Sequence, residues 1–557
     1  KNAEILRARY CQEAPKKPPE QTPPPQDSKS NWPWLAALAG IGSIGLFYYF
    51  YSGGQSKKGS HESDDKHVPA LVKVPATSAE IPKEVPYLLI GGGTASFSAF
   101  RAIKSHDPKA KVLVITNELD KPYMRPPLSK ELWYHAEPNV IPKDFKFQQW
   151  NGAQRSLYYE PDEFYIDPTK LMENANGGVA ICQGYTVKQI DVCDKKVVLT
   201  DGTEIFYGEC LIATGCSPKL TDVFNSASQN VKEKISTFRT TRDYEALKKL
   251  IDSKKSITIV GGGFLGSELS CALAKYGGQR NVKIYQVFHE TGNMASVLPE
   301  YLSKWTTEQI QKQGVCIIPQ AQIENVSASN GQVKLMLSNG KSVLTDHVVV
   351  CLGCEANTQF ADVSGLEVDS NLGGFVVNAE LEARRHLFVA GDAACFYDPL
   401  LGRRRVEHHD NSVVSGRLAG ENMVGLKKPF THQSMFWSDL GPTIGYEGIG
   451  LVDSSLPTVG VFAKLSPSDV QKNSEDKESG EKLENIENVQ KPENVENTAT
   501  SEDNYGKGVI FYLRNDKIVG ILLWNLFNRI NTARKIINEN KKFDDLNEVA
   551  KLFEIHS

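Results

Sequence analysis

Two glycine loops constrain this chain more than any other feature in it. The segment PYLLIGGGTASFSAFRAI places Gly91, Gly92 and Gly93 after an apolar run, and Thr94 and Ala95 open a helical stretch. The segment SITIVGGGFLGSELSCAL repeats the pattern with Gly261, Gly262 and Gly263, then Phe264, Leu265 and Gly266. A strand, a glycine turn and a helix in that order let backbone approach a pyrophosphate and aim helix N-terminal amides at its charge. Ser96 stands in for the third small residue of the first loop and is small enough to pack helix on strand. One such loop is a common motif. Two in one chain, each with a further apolar strand at the proper interval, point to two bound dinucleotides.

The strand following each loop carries the ribose contact. KVLVIT ends at Asn117 and Glu118, with Asn117 where an acid is expected and Glu118 one residue on. VKIYQVFHE ends at Glu290, whose carboxylate can accept both ribose hydroxyls and would repel a 2′-phosphate. The second site therefore suits NAD(H) rather than NADP. PYLLI, KVLVI, SITIV and VKIYQV read as buried parallel strands between helical segments. The expected fold is α/β, with two Rossmann-like dinucleotide-binding domains and an α+β C-terminal domain. CLIATGCSP, around Ala213 to Gly215, reads as an apolar strand ending in a tight turn. FVAGDAACF puts Asp392 after a strand at a helix start, where two-dinucleotide flavoenzymes hold an acid near the flavin ribityl or pyrophosphate. An ordinary Asp N-cap is compatible with the same position.

A chain of 557 residues is too long for one core. Its net charge of −4 argues against a nucleic-acid binder defined by overall basicity. Ten scattered cysteines form no dense framework, so structural disulfides are not expected. The chain begins at Lys1 without methionine and reads as a processed form or a fragment. Residues 1–33 are Pro-, Gln- and Lys-rich and read as a disordered arm. Residues 34–51, WLAALAGIGSIGLFYYFY, carry no charge and have aromatics at both ends. That length just spans a hydrocarbon core of about 30 Å, and the flanks suit the two interfaces, so a transmembrane helix is expected there. A polar linker over 52–83 leads to the globular part. Residues 464–504, acidic and Asn- and Ser-rich with ENIENVQKPENVEN, read as a disordered insertion.

Longer words sit between the loops: PYMRPPLSKELW (122–133), FQQWNG (147–152), GRRRVEHHD (402–410), HQSMFWSDLG (432–441) and LWNLFNR (523–529). With the two loops, these resemble the apoptosis-inducing-factor family, a branch of the glutathione-reductase-like FAD/NAD flavoproteins. The resemblance runs from about Pro86 to the C-terminus. It implies an FAD domain split over 84–217 and 355–434, an NAD domain over 218–354, and a C-terminal domain over 435–557. It implies an FAD site using Gly91, Gly92, Gly93, Thr94, Ala95, Asn117, Glu118, Arg125, Lys130, Val187, Arg239, Asp392, His408, His409 and Trp437. It implies an NADH site using Gly262, Gly263, Phe264, Leu265, Glu290, Gly353, Glu407, His408, Trp437, Glu447 and Asn528. Lys130 and Glu268 resemble the family's pair beside flavin N5. Phe264 is placed to cover the flavin face until nicotinamide displaces it, and core packing is its alternative role. The family pattern GNMGK is GNMAS here, so Ser296 stands where a lysine would meet the nucleotide.

The family further implies anchorage in the mitochondrial inner membrane, facing the intermembrane space, and hydride transfer from NADH to FAD with a charge-transfer complex. It implies a redox-linked homodimer and a twin-cysteine import oxidoreductase as partner. On release in cell death it implies movement to the nucleus and sequence-independent DNA binding. Two classes stay open: an oxidoreductase with rapid turnover, and an NADH-sensing scaffold with little turnover. The basic run Arg403, Arg404 and Arg405 is either a DNA or nuclear-targeting patch or a solvated loop. Adjacent His408 and His409 point apart, and no metal is expected at them. The CxxC of Cys351 and Cys354 lies away from where a redox motif of disulfide reductases belongs, which leaves that activity as the enzymatic alternative. Cys351 reads as a core residue.

Overall fold

The computed structural model describes residues 73–149, 152–464 and 505–555, all within one compact unit, Ala70–Ser557. The expected membrane span 34–51 and the N-terminal arm lie outside the described residues. Among the described residues no helix is long and apolar enough to cross a membrane. The acidic insertion also lies outside them, apart from Lys464. Lys464 ends the strand Thr458–Lys464 and pairs with Tyr505, so the insertion interrupts a single β-hairpin.

The linker expected over 52–83 ends earlier than Glu84. Val74 forms a β-bridge with Gln183, Tyr185 Oη donates to the Pro75 carbonyl at 2.7 Å, and Ile81 is buried. The segment VPALVKVPA (68–76) is apolar apart from Lys73 and carries the sequence signal for this earlier start.

An eight-stranded sheet organises the first glycine loop. Its main order is Glu382–Arg384, Leu387–Val389, Glu204–Ile212, Glu84–Ile90, Lys111–Thr116, Gly178–Gln183. The four strands from Leu387–Val389 to Lys111–Thr116 run parallel to one another, Gly178–Gln183 runs parallel to Lys111–Thr116, and Glu382–Arg384 is an antiparallel edge strand. Helices cover such a sheet on both faces, which is why its strands read as unbroken apolar runs. Leu88, Leu89, Val112, Leu113 and Val114 are fully buried. The second loop sits in a five-stranded parallel sheet, ordered Ile235–Ser236, His347–Val350, Ile257–Val260, Ile284–Val287, Cys316–Ile318.

The two loops repeat one geometry. Gly91 N–H donates to the Ile115 carbonyl at 2.8 Å, and Gly261 N–H donates to the Val287 carbonyl at 2.8 Å. Gly91 has φ +110° and Gly261 φ +127°, and a Cβ on either would lie 2.2 Å from a backbone carbonyl oxygen, that of Ala213 or Cys351. Only glycine fits there. The third small position differs. A Cβ at Gly266 would meet the Gly261 carbonyl, whereas Ser96 is accommodated with its Oγ donating to the Gly91 carbonyl at 2.5 Å.

Helix Thr94–His106 packs on helix His409–Met423 at close range. A Cβ on Gly416 would lie 2.3 Å from Ala95 O, and one on Gly420 would lie 2.4 Å from Ala99 O. This contact draws His408, at the N-cap of the later helix, towards the first loop. The C-terminal part is an antiparallel sheet, ordered Met435–Asp439, Gly445–Gly450, Lys517–Trp524, Tyr505–Arg514, Thr458–Lys464, with helices Ile530–Glu539 and Leu546–Lys551 following.

Candidate functional site

The glycine turns leave two open cradles. A Cβ on Gly93 or on Gly263 would meet nothing within 4 Å. Each glycine is the N-cap of the helix that follows, Thr94–His106 or Phe264–Gly278, and neither cap is filled by a side chain. The free amides of a long helix with an uncapped N-terminus suit a pyrophosphate.

Around the first loop the side chains form a charged cluster. Glu118 accepts hydrogen bonds from Tyr123 Oη, at 2.7 Å, and from the Arg125 guanidinium. Burial pushes the Glu118 carboxyl up, but Arg125 and these bonds outweigh it and hold the group below its ordinary range. Asn117 is exposed. Arg125 also donates to the Arg239 carbonyl at 3.0 Å, and Arg239 donates to Asp392 Oδ2 at 3.2 Å. Asp392 thus sits at the end of the Leu387–Val389 strand, within reach of the first cradle. Thr94 shares a hydrogen bond with Tyr159, Ala95 is buried against Gly391, and Val187 is buried in the core of the large sheet.

Lys130 and Glu268 meet in the interior. Lys130 Nζ donates to Glu268 Oε2 at 2.7 Å, and both side chains are nearly inaccessible. Burial would lower the Lys130 pKa, but the Glu268 carboxylate raises it above the ordinary value. Ser129 Oγ donates to the same oxygen at 2.6 Å, and Ser438 Oγ donates to Oε1 at 2.7 Å. Sequence reasoning missed both serines. Each lies inside a quoted word, beside Lys130 and beside Trp437, and that adjacency was the available signal.

Phe264, the first residue of the second helix, lies edge-on to Phe436 at 5.1 Å and to His408 at 5.8 Å. His408 stacks on Phe436 at 4.8 Å, and His409 meets Trp437 edge-on at 5.8 Å. Desolvation by this packing lowers both imidazoles to about 4. Both are therefore neutral near pH 7.

The residues expected around the second loop fall into two groups. Leu265 packs at the margin of the core, Gly353 is a turn glycine with φ +89°, and Ser296 is exposed. Glu407 receives Arg405 at 2.6 Å. Glu290 and Glu447 differ, because each has a buried Oε2 with no hydrogen-bond partner among the described residues. His289 Nδ1 stands 3.4 Å from that Glu290 oxygen without donating to it. Glu447 pairs with Trp437 across adjacent strands, and the Asn528 backbone N–H bonds its carboxylate. A buried carboxylate oxygen without a donor costs free energy, and ribose hydroxyls or a carboxamide would supply the missing donors. These two orphans fit a bound nicotinamide dinucleotide.

Burial raises the Glu447 carboxyl to about 7. A carboxyl raised on folding stabilises the folded chain below its ordinary pKa, and that contribution is lost as pH rises through the folded value. The ligand-free protein is expected to lose stability between pH 4.5 and about 7. Glu447→Gln should flatten that part of the curve, measured by denaturant midpoints at several pH values.

The arginines of the basic run each bond backbone carbonyls, while Arg403 stays exposed and Arg404 and Arg405 are half-buried. Arg403 donates to the Val377 and Cys395 carbonyls, Arg404 to the Gly450 carbonyl at 2.8 Å, and Arg405 to the Leu372 carbonyl at 2.7 Å. Pairing of strand Gly402–Arg405 with Ala394–Asp398 sets these directions. The CxxC also separates. Cys351 is buried in the core, while Cys354 lies against Cys216, 138 residues away, at Sγ–Sγ 2.7 Å. With Glu407 these two cysteines form a donor cluster that the spacing of histidines and acids did not reveal.

Comparison with known proteins agrees with this geometry. Residues 85–416 match the family "Pyridine nucleotide-disulphide oxidoreductase", and residues 419–539 match "Apoptosis-inducing factor, mitochondrion-associated, C-term". A putative mitochondrial apoptosis-inducing factor 1 of Drosophila melanogaster is 60% identical, over 88% of this chain and 68% of the relative. Mitochondrial apoptosis-inducing factor 1 of Dictyostelium discoideum is 38% identical, over 84% of this chain and 81% of its own. Among solved structures, a ferredoxin reductase from Rhodopseudomonas palustris superposes with TM-score 0.63 at 22% identity, covering 84% of this chain and all of that one.

Proposed function

The chain belongs to the apoptosis-inducing-factor family of pyridine nucleotide-disulphide oxidoreductases, and from that premise we propose that it takes electrons from NADH onto FAD, with FAD on the Gly91 loop and NADH on the Gly261 loop. It is an FAD- and NAD(H)-dependent oxidoreductase. One observation supports a shared reaction centre most: Lys130, from the segment after strand Lys111–Thr116, and Glu268, from the second loop's helix, make one buried ion pair. The pair joins the parts of the chain that carry the two loops, which supports cofactors meeting beside it.

Bound FAD and NADH supply the hydride transfer themselves. The chain's residues bind and orient. The two cradles receive pyrophosphates, Glu290 accepts ribose hydroxyls, and its charge disfavours a 2′-phosphate. Lys130, kept protonated by Glu268, would place positive charge beside a bound flavin. Phe264 and His408 close the space between the loops and exclude water from it.

The reading extends to a mitochondrial protein, as its Drosophila and Dictyostelium relatives are named, held at the inner membrane by residues 34–51. Its reduced form dimerises and serves as an NADH-dependent docking surface for an import oxidoreductase. Sequence-independent DNA binding stays within this reading, with Arg403 exposed and all three arginines also bonded to backbone carbonyls. Light scattering of the full chain in detergent, with and without NADH, tests the scaffold role. The expected result is a doubling of protein mass with the flavin staying reduced in air. A monomer whose flavin reoxidises at once would instead make it an oxidase or quinone reductase.

A further inference from the structure

Cys216 and Cys354 have no role in the hydride transfer assigned to the cofactors, and Cys216 touches Asp392. The chain passes from the large sheet to the five-stranded sheet through strand Cys216–Pro218, and it leaves the five-stranded sheet through strand Cys354–Ala356. These two passages pair antiparallel, Ala356 opposite Cys216 and Cys354 opposite Pro218. Each follows a left-handed glycine, Gly215 at φ +66° or Gly353 at φ +89°. The two thiols therefore face each other on the only paired segment formed by both passages among the described residues.

We propose that Cys216 and Cys354 are a thiol–disulfide modification site that staples these two passages together when oxidised. The sulfurs are 2.7 Å apart, closer than two thiolates sharing a zinc ion, which stand about 3.7 Å apart across a tetrahedral centre with bonds of about 2.3 Å. Cys354 is partly exposed and Cys216 is buried, so the order of attack is set. A low-molecular-weight disulfide is the oxidant. The Cys354 thiolate attacks one of its sulfurs, forms a mixed disulfide and expels one small thiol. Cys216 then attacks the Cys354 sulfur and expels the second small thiol. Its proton passes towards Asp392 Oδ2, 3.2 Å away. Two electrons leave the protein, and one disulfide in solution becomes two thiols.

The product links the site to its surroundings. Cys216 Sγ donates to Asp392, which also receives Arg239 and Ser412. Oxidation removes the thiol proton from that set and fixes the turn at Gly353.

The test uses the full chain in detergent, incubated with glutathione disulfide or with dithiothreitol, then denatured, alkylated and peptide-mapped by mass spectrometry. The expected result is a cross-linked peptide joining Cys216 to Cys354 in the oxidised sample only, with alkylation of both thiols lost. Exposed Cys193 and Cys316 serve as controls and should carry single glutathione adducts. Cys354→Ser should leave Cys216 alkylated under both conditions. Recovery of Cys216 and Cys354 as separately alkylated residues after oxidation overturns the proposal. So does a chelator-removable zinc ion, one per chain, that blocks both thiols in the protein as purified.

Discussion

Gly263→Asp is expected to weaken NADH binding by about 100-fold, an effect of roughly 2.7 kcal/mol, while leaving the fold and bound flavin intact. The position permits the change. Gly263 has φ −77°, an ordinary backbone conformation, and a Cβ there meets nothing within 4 Å. An aspartate therefore builds into open space and places its charge where the second cradle would receive a pyrophosphate. Like charges at a desolvated contact cost several kcal/mol, and the helix amides that attract a phosphate would be spent on the new carboxylate. Gly93→Asp is the matching change in the first cradle, and there the flavin itself should be lost. Calorimetric NADH affinity and flavin absorbance per chain read the two outcomes separately. Loss of flavin from Gly263→Asp, with NADH binding retained, would reverse the assignment of loops.

Glu268→Ala is expected to cost about 3–5 kcal/mol, the usual result of leaving one member of a buried ion pair without its partner. Lys130 would then hold an uncompensated charge at a nearly inaccessible site, and Ser129 and Ser438 would lose their acceptor. Denaturant midpoints measure the loss. The double change Lys130→Met with Glu268→Met separates structure from chemistry. Removing both charges should restore much of the stability, yet flavin reduction by NADH should remain slow, read by stopped-flow absorbance. Full recovery of both would make the pair purely structural.

How much of this was legible in the sequence depends on distance along the chain. The glycine loops are local, and their turn, helix start and strand are contiguous, so their geometry follows from the residue string. Glu290 could be singled out for the same reason, because it follows an apolar strand, Ile284–Val287, at a fixed interval. The serines around Glu268 were not, because hydroxyl donors are common and the contacts span 139 and 170 residues. Cys216 and Cys354 meet through strand pairing across an entire inserted sheet, while the CxxC is split between a core thiol and a partly exposed one. The carbonyl contacts of Arg403–Arg405 were not legible, because charge in sequence does not reveal direction. A short strand pairing turned their guanidinium groups onto backbone carbonyls. The orphan oxygen of Glu447 appears only once burial is known.

The most direct test of the account is an anaerobic titration of the purified full chain with NADH, followed in the visible spectrum. The account predicts a copurifying flavin whose absorbance bleaches as NADH is added, with a long-wavelength band that persists while nicotinamide stays bound. A protein that purifies without flavin, or a flavin spectrum that NADH leaves unchanged, would contradict it.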